Sequence, residues 1–386
     1  MMIEKIIQAL PDSLLESLSQ EHRVDKKNTK LQGSVIFKGL LLNILKNRPM
    51  SLRSVEALIN SSPRLHQGFK ARFAHNKQVS HSGLAYRLQT IPVSYSQAIY
   101  DHLACYYQQC YDPKTQQELH RFDSTLITAS SKLLTEGLNC GGGDGDRHIK
   151  VSIGMRGSIP SSIRFCQEQE DASEDKALAK AIKEASIPGE DILLFDRGIS
   201  KAETFQDLEE RRVQFITRLK VGRKYKVLED KGLTLPPSQD TKGTLIQDQV
   251  ILLLNQKEQT ITCPLRLIQM STDKGQILWF LTNNRDMDPY TIATLYKRRW
   301  DIEVLFKFIK QHLQFKHFLS YSLHGMQIYL YLILSAALLF FIYKKETGKS
   351  GFKLAFFAFL LDLEKAYVLD LIILSGGDPN KVKHKL

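Results

Sequence analysis

The region from residue 121 to residue 212 most constrains the fold, because strand-like and helix-like segments follow one another there in a fixed order. Apolar and β-branched runs predict three strands, a helix rich in Ala and Lys follows, and a short apolar strand and a charged helix complete the series. These segments are residues 122–127, 148–155, 161–166, 173–186, 191–196 and 201–212. The order predicts an antiparallel meander that leads into a parallel strand, in the α/β class.

A helix from residue 289 to about residue 315 carries an unusual polar stripe. Tyr296, Arg299, Glu303 and Lys310 are separated by 3, 4 and 7 positions, so all four project from one face of a continuous helix. Core packing alone does not explain why a carboxylate, two cations and a phenol share one helix face. The pattern suits a metal-binding glutamate flanked by groups that hold phosphates.

Two aspartates occupy strand positions that would otherwise belong to a core. Asp123 lies in the first strand and Asp196 ends the short apolar strand. A carboxylate there is costly unless it binds a cation or hydrogen-bond donors, although either aspartate alone is more often a strand-end cap. Together with Glu303 they offer three hard oxygen ligands, which suit Mg²⁺ or Mn²⁺.

These residues resemble the motifs of the DDE transposases of the insertion sequence 4 (IS4) family. That family carries Tyr-x2-Arg-x3-Glu-x6-Lys, which the stripe matches at every spacing, and its second acid lies in an Asp-Arg-Gly context like 196–198. The resemblance implies an RNase H-like core of mixed sheet and helices, interrupted by a β-rich insertion. It also implies that Asp123, Asp196 and Glu303 are catalytic and bind two divalent ions, Mg²⁺ or Mn²⁺.

The resemblance further implies the partners. Double-stranded DNA, as terminal inverted repeats and as target, would contact Tyr296, Arg299 and Lys310, and a homodimer would pair the two ends. Other cations are candidate DNA contacts, and Arg197 could equally pair with a nearby acid. These candidates are Arg197, Lys220, Arg223, Lys224 and Arg87.

The charge distribution favours a polyanionic partner. The formal net charge is +12, and residues 23–90 hold 13 Lys/Arg but only Asp25 and Glu56 as acids. Short helices there predict an N-terminal DNA-binding region. Two interpretations remain open: a basic bundle that touches only phosphates, or base reading by residues such as Ser80, Ser82, Tyr86 and Arg87.

The predicted organisation has five parts. A helical DNA-binding region (1–115) precedes the first part of the core (116–220), the β-rich insertion (221–275), the second part of the core with the glutamate helix (276–318) and an apolar helical region (319–386). The apolar run 328–343 has 16 residues, fewer than the roughly 20 of a membrane span, and predicts a buried helix. Five scattered cysteines without a C-x-x-C pair predict a reducing, cytoplasmic location. The resemblance implies a bacterial, nucleoid-associated protein with no membrane partner.

The positions of the two tryptophans can also be predicted. Trp279 is expected to pack in a core strand rather than to stack on a DNA base, and Trp300 is expected to face the core.

Three functional hypotheses follow from the sequence. The leading hypothesis is a cut-and-paste transposase. The alternatives are a catalytically inactive, transposase-derived DNA-binding protein and a metal-dependent RNase H-like nuclease.

Overall fold

The structure is a computed structural model that describes residues 9–26, 31–45, 51–61, 78–127, 138, 148–234, 243–255, 257–315, 318–320 and 322–382. The Gly-rich loop 139–146 and most of the N-terminal cations lie outside these ranges.

The N-terminal part is helical, as the sequence predicts. Its helices are α1 (Asp12–Glu21), α2 (Gly33–Leu45), α3 (Leu52–Ser61), α4 (His81–Thr90) and α5 (Val93–Tyr111). Two serines cap helices, because Ser51 Oγ accepts from the Ser54 N–H and Ser80 Oγ accepts from the Gly83 N–H.

The described strands form one mixed sheet. They are β1 (Leu119–Ile127), β2 (Ile149–Arg156), β3 (Ile159–Cys166), β4 (Ile192–Leu194), β5 (Gln214–Arg218), β6 (Tyr225–Asp230), β7 (Thr244–Leu253), β8 (Leu265–Ser271) and β9 (Ile277–Thr282). Their spatial order is β3-β2-β1-β4-β5-β9-β8-β7-β6, with β1, β4 and β5 parallel and the other pairs antiparallel. This mixed sheet with flanking helices fits the expected RNase H-like architecture.

Helices cover both faces of the sheet around its parallel strands, as parallel strands require. Between β3 and β5 lie α6 (Glu174–Glu184) and α7 (Ala202–Glu210), and after β9 come α8 (Pro289–Lys297), α9 (Trp300–His312), α10 (Leu323–Thr347) and α11 (Phe352–Leu374). Phe122, Leu193 and Phe195 pack on one face with the α6 and α7 side chains. Ile192 and Leu194 pack on the opposite face with α8.

The long apolar helix α10 lies inside the protein. Within the described residues it is the one helix long and apolar enough to cross a membrane, and 94% of its most apolar window is buried. It shares one core with α2, α5 and α9, so its side chains contact protein on all sides. The burial agrees with the sequence prediction of a core helix.

The segment 221–275 contains β6, β7 and β8, and these strands continue the core sheet through β9. One expectation about organisation changes in the structure. The helix predicted from 289 to about 315 is broken, because α8 ends at Lys297 and α9 starts at Trp300. Its predicted start is confirmed, since Asp288 caps α8 and Pro289 is the first helical residue.

Candidate active site

Strand pairing brings Asp123 and Asp196 to the same end of the sheet. In the parallel pair of β1 and β4, Arg121 lies opposite Leu194, and each aspartate follows two residues beyond this pair. Side chains alternate along a strand, so Asp123 points away from Phe122, toward the face that α8 covers. Asp196 lies two residues past the end of β4, and its charge contributes to the pKa shifts of Tyr296 and Arg299, so it lies near these groups.

Each aspartate already accepts one backbone hydrogen bond. Asp123 Oδ1 accepts from the Ser124 N–H at 2.8 Å, and Asp196 Oδ1 accepts from the Gly198 N–H at 2.7 Å. Burial raises the pKa of Asp123 to about 6, and the negative charges of Glu174 and Glu303 add to the rise against the opposing effects of Ser124 and Arg299. A bound cation would relieve this unfavourable concentration of negative charge.

The third acid reaches the site from α9. Glu303 Oε1 accepts a short hydrogen bond from Arg299 Nη2, and Arg299 lies between Glu303 and the ring of Tyr296, with its Cζ atom 5.9 Å from the ring centroid. Burial alone would lower the pKa of Arg299, but the pairing with Glu303 and the charge of Asp196 raise it. Arg299 thus pairs with Glu303 and interacts electrostatically with Asp123 and Asp196.

Tyr296 is largely buried beside the same groups. Burial raises its pKa to about 12, the charge of Asp196 raises it further, and the charge of Arg299 opposes the rise. Its ring packs edge-to-face on Phe280 of β9, with centroids 5.4 Å apart. The tyrosine hydroxyl therefore remains a neutral hydrogen-bond donor at physiological pH.

Arg121 is a positioning residue that the sequence reasoning missed. Its side chain is 1% exposed, and it donates from Nε to the Arg298 carbonyl at 2.7 Å and from Nη1 to the Gly157 carbonyl at 2.5 Å. Its Nη2 atom also lies 3.2 Å from Asp301 Oδ2. Arg121 therefore fixes the turn between α8 and α9. The sequence signal for this role was that Arg121 is a cation two positions before Asp123, on the same face of the strand.

The predicted DNA contacts divide into surface and buried residues. Arg197, Lys220, Lys224 and Lys310 are exposed and Arg223 is partly exposed, although Lys224 pairs with Glu258 and Lys310 Nζ lies 5.5 Å from the Phe306 ring centroid. Of these, Arg197 directly follows Asp196 and Lys310 lies on the helix of Glu303. The others lie at the end of β5 and in the following turn.

Arg87 was wrongly predicted as a DNA contact. Its side chain is 2% exposed, its Nη2 atom lies 2.8 Å from Asp25 Oδ1, and it donates to the carbonyls of Val24 and Leu31. A buried guanidinium needs such partners, and here they come from the segment that joins α1 to α2. Arg87 therefore fastens the N-terminal helices together.

The prediction for Trp300 was also wrong. It is 59% exposed, next to the turn, and its ring lies 6.0 Å from Arg299 Cζ. The break at residues 298–299 is the reason, because helical spacing cannot be extrapolated from α8 into α9. Trp279 is partly buried in β9, as expected, and its ring centroid lies 6.2 Å from the ring centroid of Tyr225.

A second acidic cluster lies at the opposite end of the strands. Glu118, His120 and Asp191 are buried, and Asp191 Oδ2 lies 2.9 Å from His120 Nε2 while Glu118 Oε2 lies 2.9 Å from Arg156 Nε. Glu118 precedes Asp123 by five strand residues, or roughly 16 Å. This cluster therefore joins the start of β1 to the start of β4 and is separate from Asp123 and Asp196.

Comparison with known proteins agrees with this geometry. Residues 122–339, more than half of the chain, match the family described as "Transposase DDE domain". The chain belongs to this family. The matched region begins within β1, next to Asp123, and ends in α10, so it includes all three acids and both helices of the turn.

Two relatives carry transposase names. This chain is 30% identical over 138 residues to "Putative transposase y4zB" of Sinorhizobium fredii, and the alignment covers 36% of this chain and 38% of the relative. It is 24% identical over 236 residues to "Putative transposase for insertion sequence element IS4SA" of Synechocystis, an alignment of 60% of this chain and 62% of the relative. Each alignment spans less than two thirds of the relative. The IS4-type resemblance is confirmed at the level of family.

Proposed function

We propose that this DDE transposase cleaves DNA at the ends of an insertion sequence and joins them to target DNA by a cut-and-paste route. The observation that carries the proposal is that Asp123 and Asp196 lie at the same end of the sheet, near Arg299 and Glu303. Asp123 is on β1, Asp196 follows the neighbouring parallel strand β4, and Glu303 is on the helix that packs against β1. The family match supports the same reaction class.

The residues fit a divalent metal centre. Carboxylate oxygens are the ligands that Mg²⁺ and Mn²⁺ prefer. Burial raises the pKa of Asp123, and the charges of Glu174 and Glu303 add to this rise. Asp123, Asp196 and Glu303 would hold two ions. Such ions activate a water molecule and stabilise the leaving oxygen of a phosphodiester.

The protein residues orient the DNA. We assign phosphate binding to Arg299 and Lys310, because charge-assisted hydrogen bonds to phosphate oxygens are strong, and to the neutral hydroxyl of Tyr296. Arg299 pairs with Glu303, and if Glu303 were to hold a metal ion, the guanidinium would be available to a DNA phosphate. Exposed Arg197, Lys220 and Lys224 and partly exposed Arg223 extend the phosphate-binding surface.

We also propose that the N-terminal helices contact the terminal inverted repeats. Two copies would act together on the two ends of the insertion sequence, and the protein would act in the bacterial cytoplasm. The basic composition of residues 23–90 supports DNA binding. Pairing of two ends supports a homodimer.

The test is nicking of a duplex that carries the inverted repeats flanking the coding region. The expected result is cleavage with Mg²⁺ or Mn²⁺ that is lost on chelation and lost in Asp123→Asn, Asp196→Asn and Glu303→Gln. DNA binding without cleavage by the unaltered chain would favour the inactive DNA-binding protein. Turnover on RNA–DNA hybrids without end specificity or strand transfer would favour the RNase H-like nuclease.

A further inference from the structure

We propose that Glu174 is a fourth carboxylate of the metal site and helps to hold a divalent ion beside Asp123 and Asp196. This inference rests on the proposed function, since it adds a residue to the same site. Three observations carry it: the position of Glu174 against the Asp196–Gly198 turn, the tether that fixes this position, and the lack of a partner for its carboxylate.

Glu174 lies directly against the turn that follows Asp196. A Cβ atom placed on Gly198 would be 3.0 Å from Glu174 Cδ and 3.3 Å from each of its carboxylate oxygens. The Gly198 N–H donates to Asp196 Oδ1, so one glycine separates the two carboxylates. A larger residue at position 198 would displace Glu174 from this place.

The start of α6 is fastened to the same turn. Asp175 Oδ1, on the residue after Glu174, accepts from the Ser200 N–H at 3.0 Å. Glu174 is the first residue of α6, and α6 also contacts β1, which carries Asp123. The backbone of Glu174 is therefore fixed relative to both aspartates, although its side chain is exposed.

The carboxylate of Glu174 has no hydrogen bond or ion pair within the described part of the chain, unlike other acids nearby. Glu184, at the far end of α6, pairs with Arg164, and Glu170 pairs with Lys176. Glu174 thus presents a carboxylate without a partner beside the turn that follows Asp196.

A divalent ion explains this arrangement. Mg²⁺ and Mn²⁺ take about six oxygen ligands, so three carboxylates leave positions that a fourth can fill directly or through water. Residues that support metal ligands typically change metal affinity by about 10–100-fold when they are replaced. The competing explanation is that Glu174 only stabilises the positive N-terminus of α6.

The experiment is a titration of the full chain with Mn²⁺ alone, in which free Mn²⁺ is followed by electron paramagnetic resonance. We expect the unaltered chain to bind Mn²⁺, Asp123→Asn to lose binding and Glu174→Gln to bind about tenfold more weakly. Glu184→Gln is the matched control, because it removes one exposed charge from the same helix, and it should bind like the unaltered chain.

Urea unfolding without metal provides the second readout. Glu174→Gln relieves repulsion in the site, so it should be at least as resistant to urea as the unaltered chain, whereas loss of a helix-terminus interaction would lower its midpoint. Unchanged Mn²⁺ affinity in Glu174→Gln together with lost affinity in Asp123→Asn would overturn this inference and leave the proposed function intact. Unchanged affinity in Asp123→Asn would overturn the proposed metal centre itself.

Discussion

Arg121 donates a hydrogen bond across 2.7 Å to the main-chain carbonyl of Arg298, 177 positions later in the chain. This bond joins the strand of Asp123 to the turn that presents Arg299 and Glu303. The position of Glu303 relative to Asp123 thus depends on the buried guanidinium of Arg121.

Replacement of Arg121 by methionine should lower the free energy of unfolding by about 3 kcal/mol, because two partly buried carbonyls lose a charged donor and the Arg121 side chain itself is buried. DNA nicking by the folded fraction should fall as well, since the turn between α8 and α9 is no longer fixed. Urea unfolding and nicking by the same preparation measure both effects. Arg298→Ala is the control, as its exposed pair with Asp301 should contribute less than about 1 kcal/mol.

Replacement of Glu303 by glutamine should separate function from stability. The pair between Glu303 and Arg299 is an i,i+4 contact at a partly exposed site, so its loss should change the unfolding free energy by less than about 1 kcal/mol. Metal-dependent nicking should nevertheless disappear, because an amide is a poor ligand for Mg²⁺. A variant that unfolds cooperatively like the unaltered chain but still nicks DNA would remove Glu303 from the catalytic set.

Arg87 and Lys220 should behave oppositely. Arg87→Met should lower the unfolding free energy by about 3 kcal/mol, because it leaves Asp25 without its buried partner. Lys220→Ala should leave stability nearly unchanged but reduce the salt dependence of DNA binding by about one unit of log–log slope. Binding isotherms at several salt concentrations measure the slope. An unchanged slope for Lys220→Ala would exclude a phosphate contact there.

His120 should contribute to destabilisation in acid. Burial lowers its pKa, against the opposing effect of Asp191, so the folded protein favours the neutral ring. The contribution to stability is therefore present above the ordinary histidine pKa of about 6.5 and is lost as pH falls through the folded pKa.

His120→Gln should therefore weaken the loss of unfolding free energy as the pH falls below about 6.5, as measured by urea unfolding across the pH range. His81→Gln, at an exposed histidine, is the control and should keep the dependence of the unaltered chain. An identical pH profile for His120→Gln and the unaltered chain would contradict the prediction.

Several elements could be read from local patterns. The period-2 alternation around Asp123, the apolar run before Asp196 and the Asp288-Pro289 helix start each depend on neighbours within a few residues. The sheet extension through β6–β8 could not be read in this way. Strand pairing depends on which edges meet, and alternating residues fit both a separate sheet and a continued one.

The sequence by itself determined the three acids, the family-specific spacing from Tyr296 to Lys310 and the mixed strand and helix order, because these are properties of residue type and separation. Only the tertiary structure decided the burial of Arg87, the break before Trp300 and the position of Glu174 against Gly198. Each of these depends on contacts between segments distant in the chain. Such contacts are selected by packing and charge compensation across the whole fold, which no local pattern records.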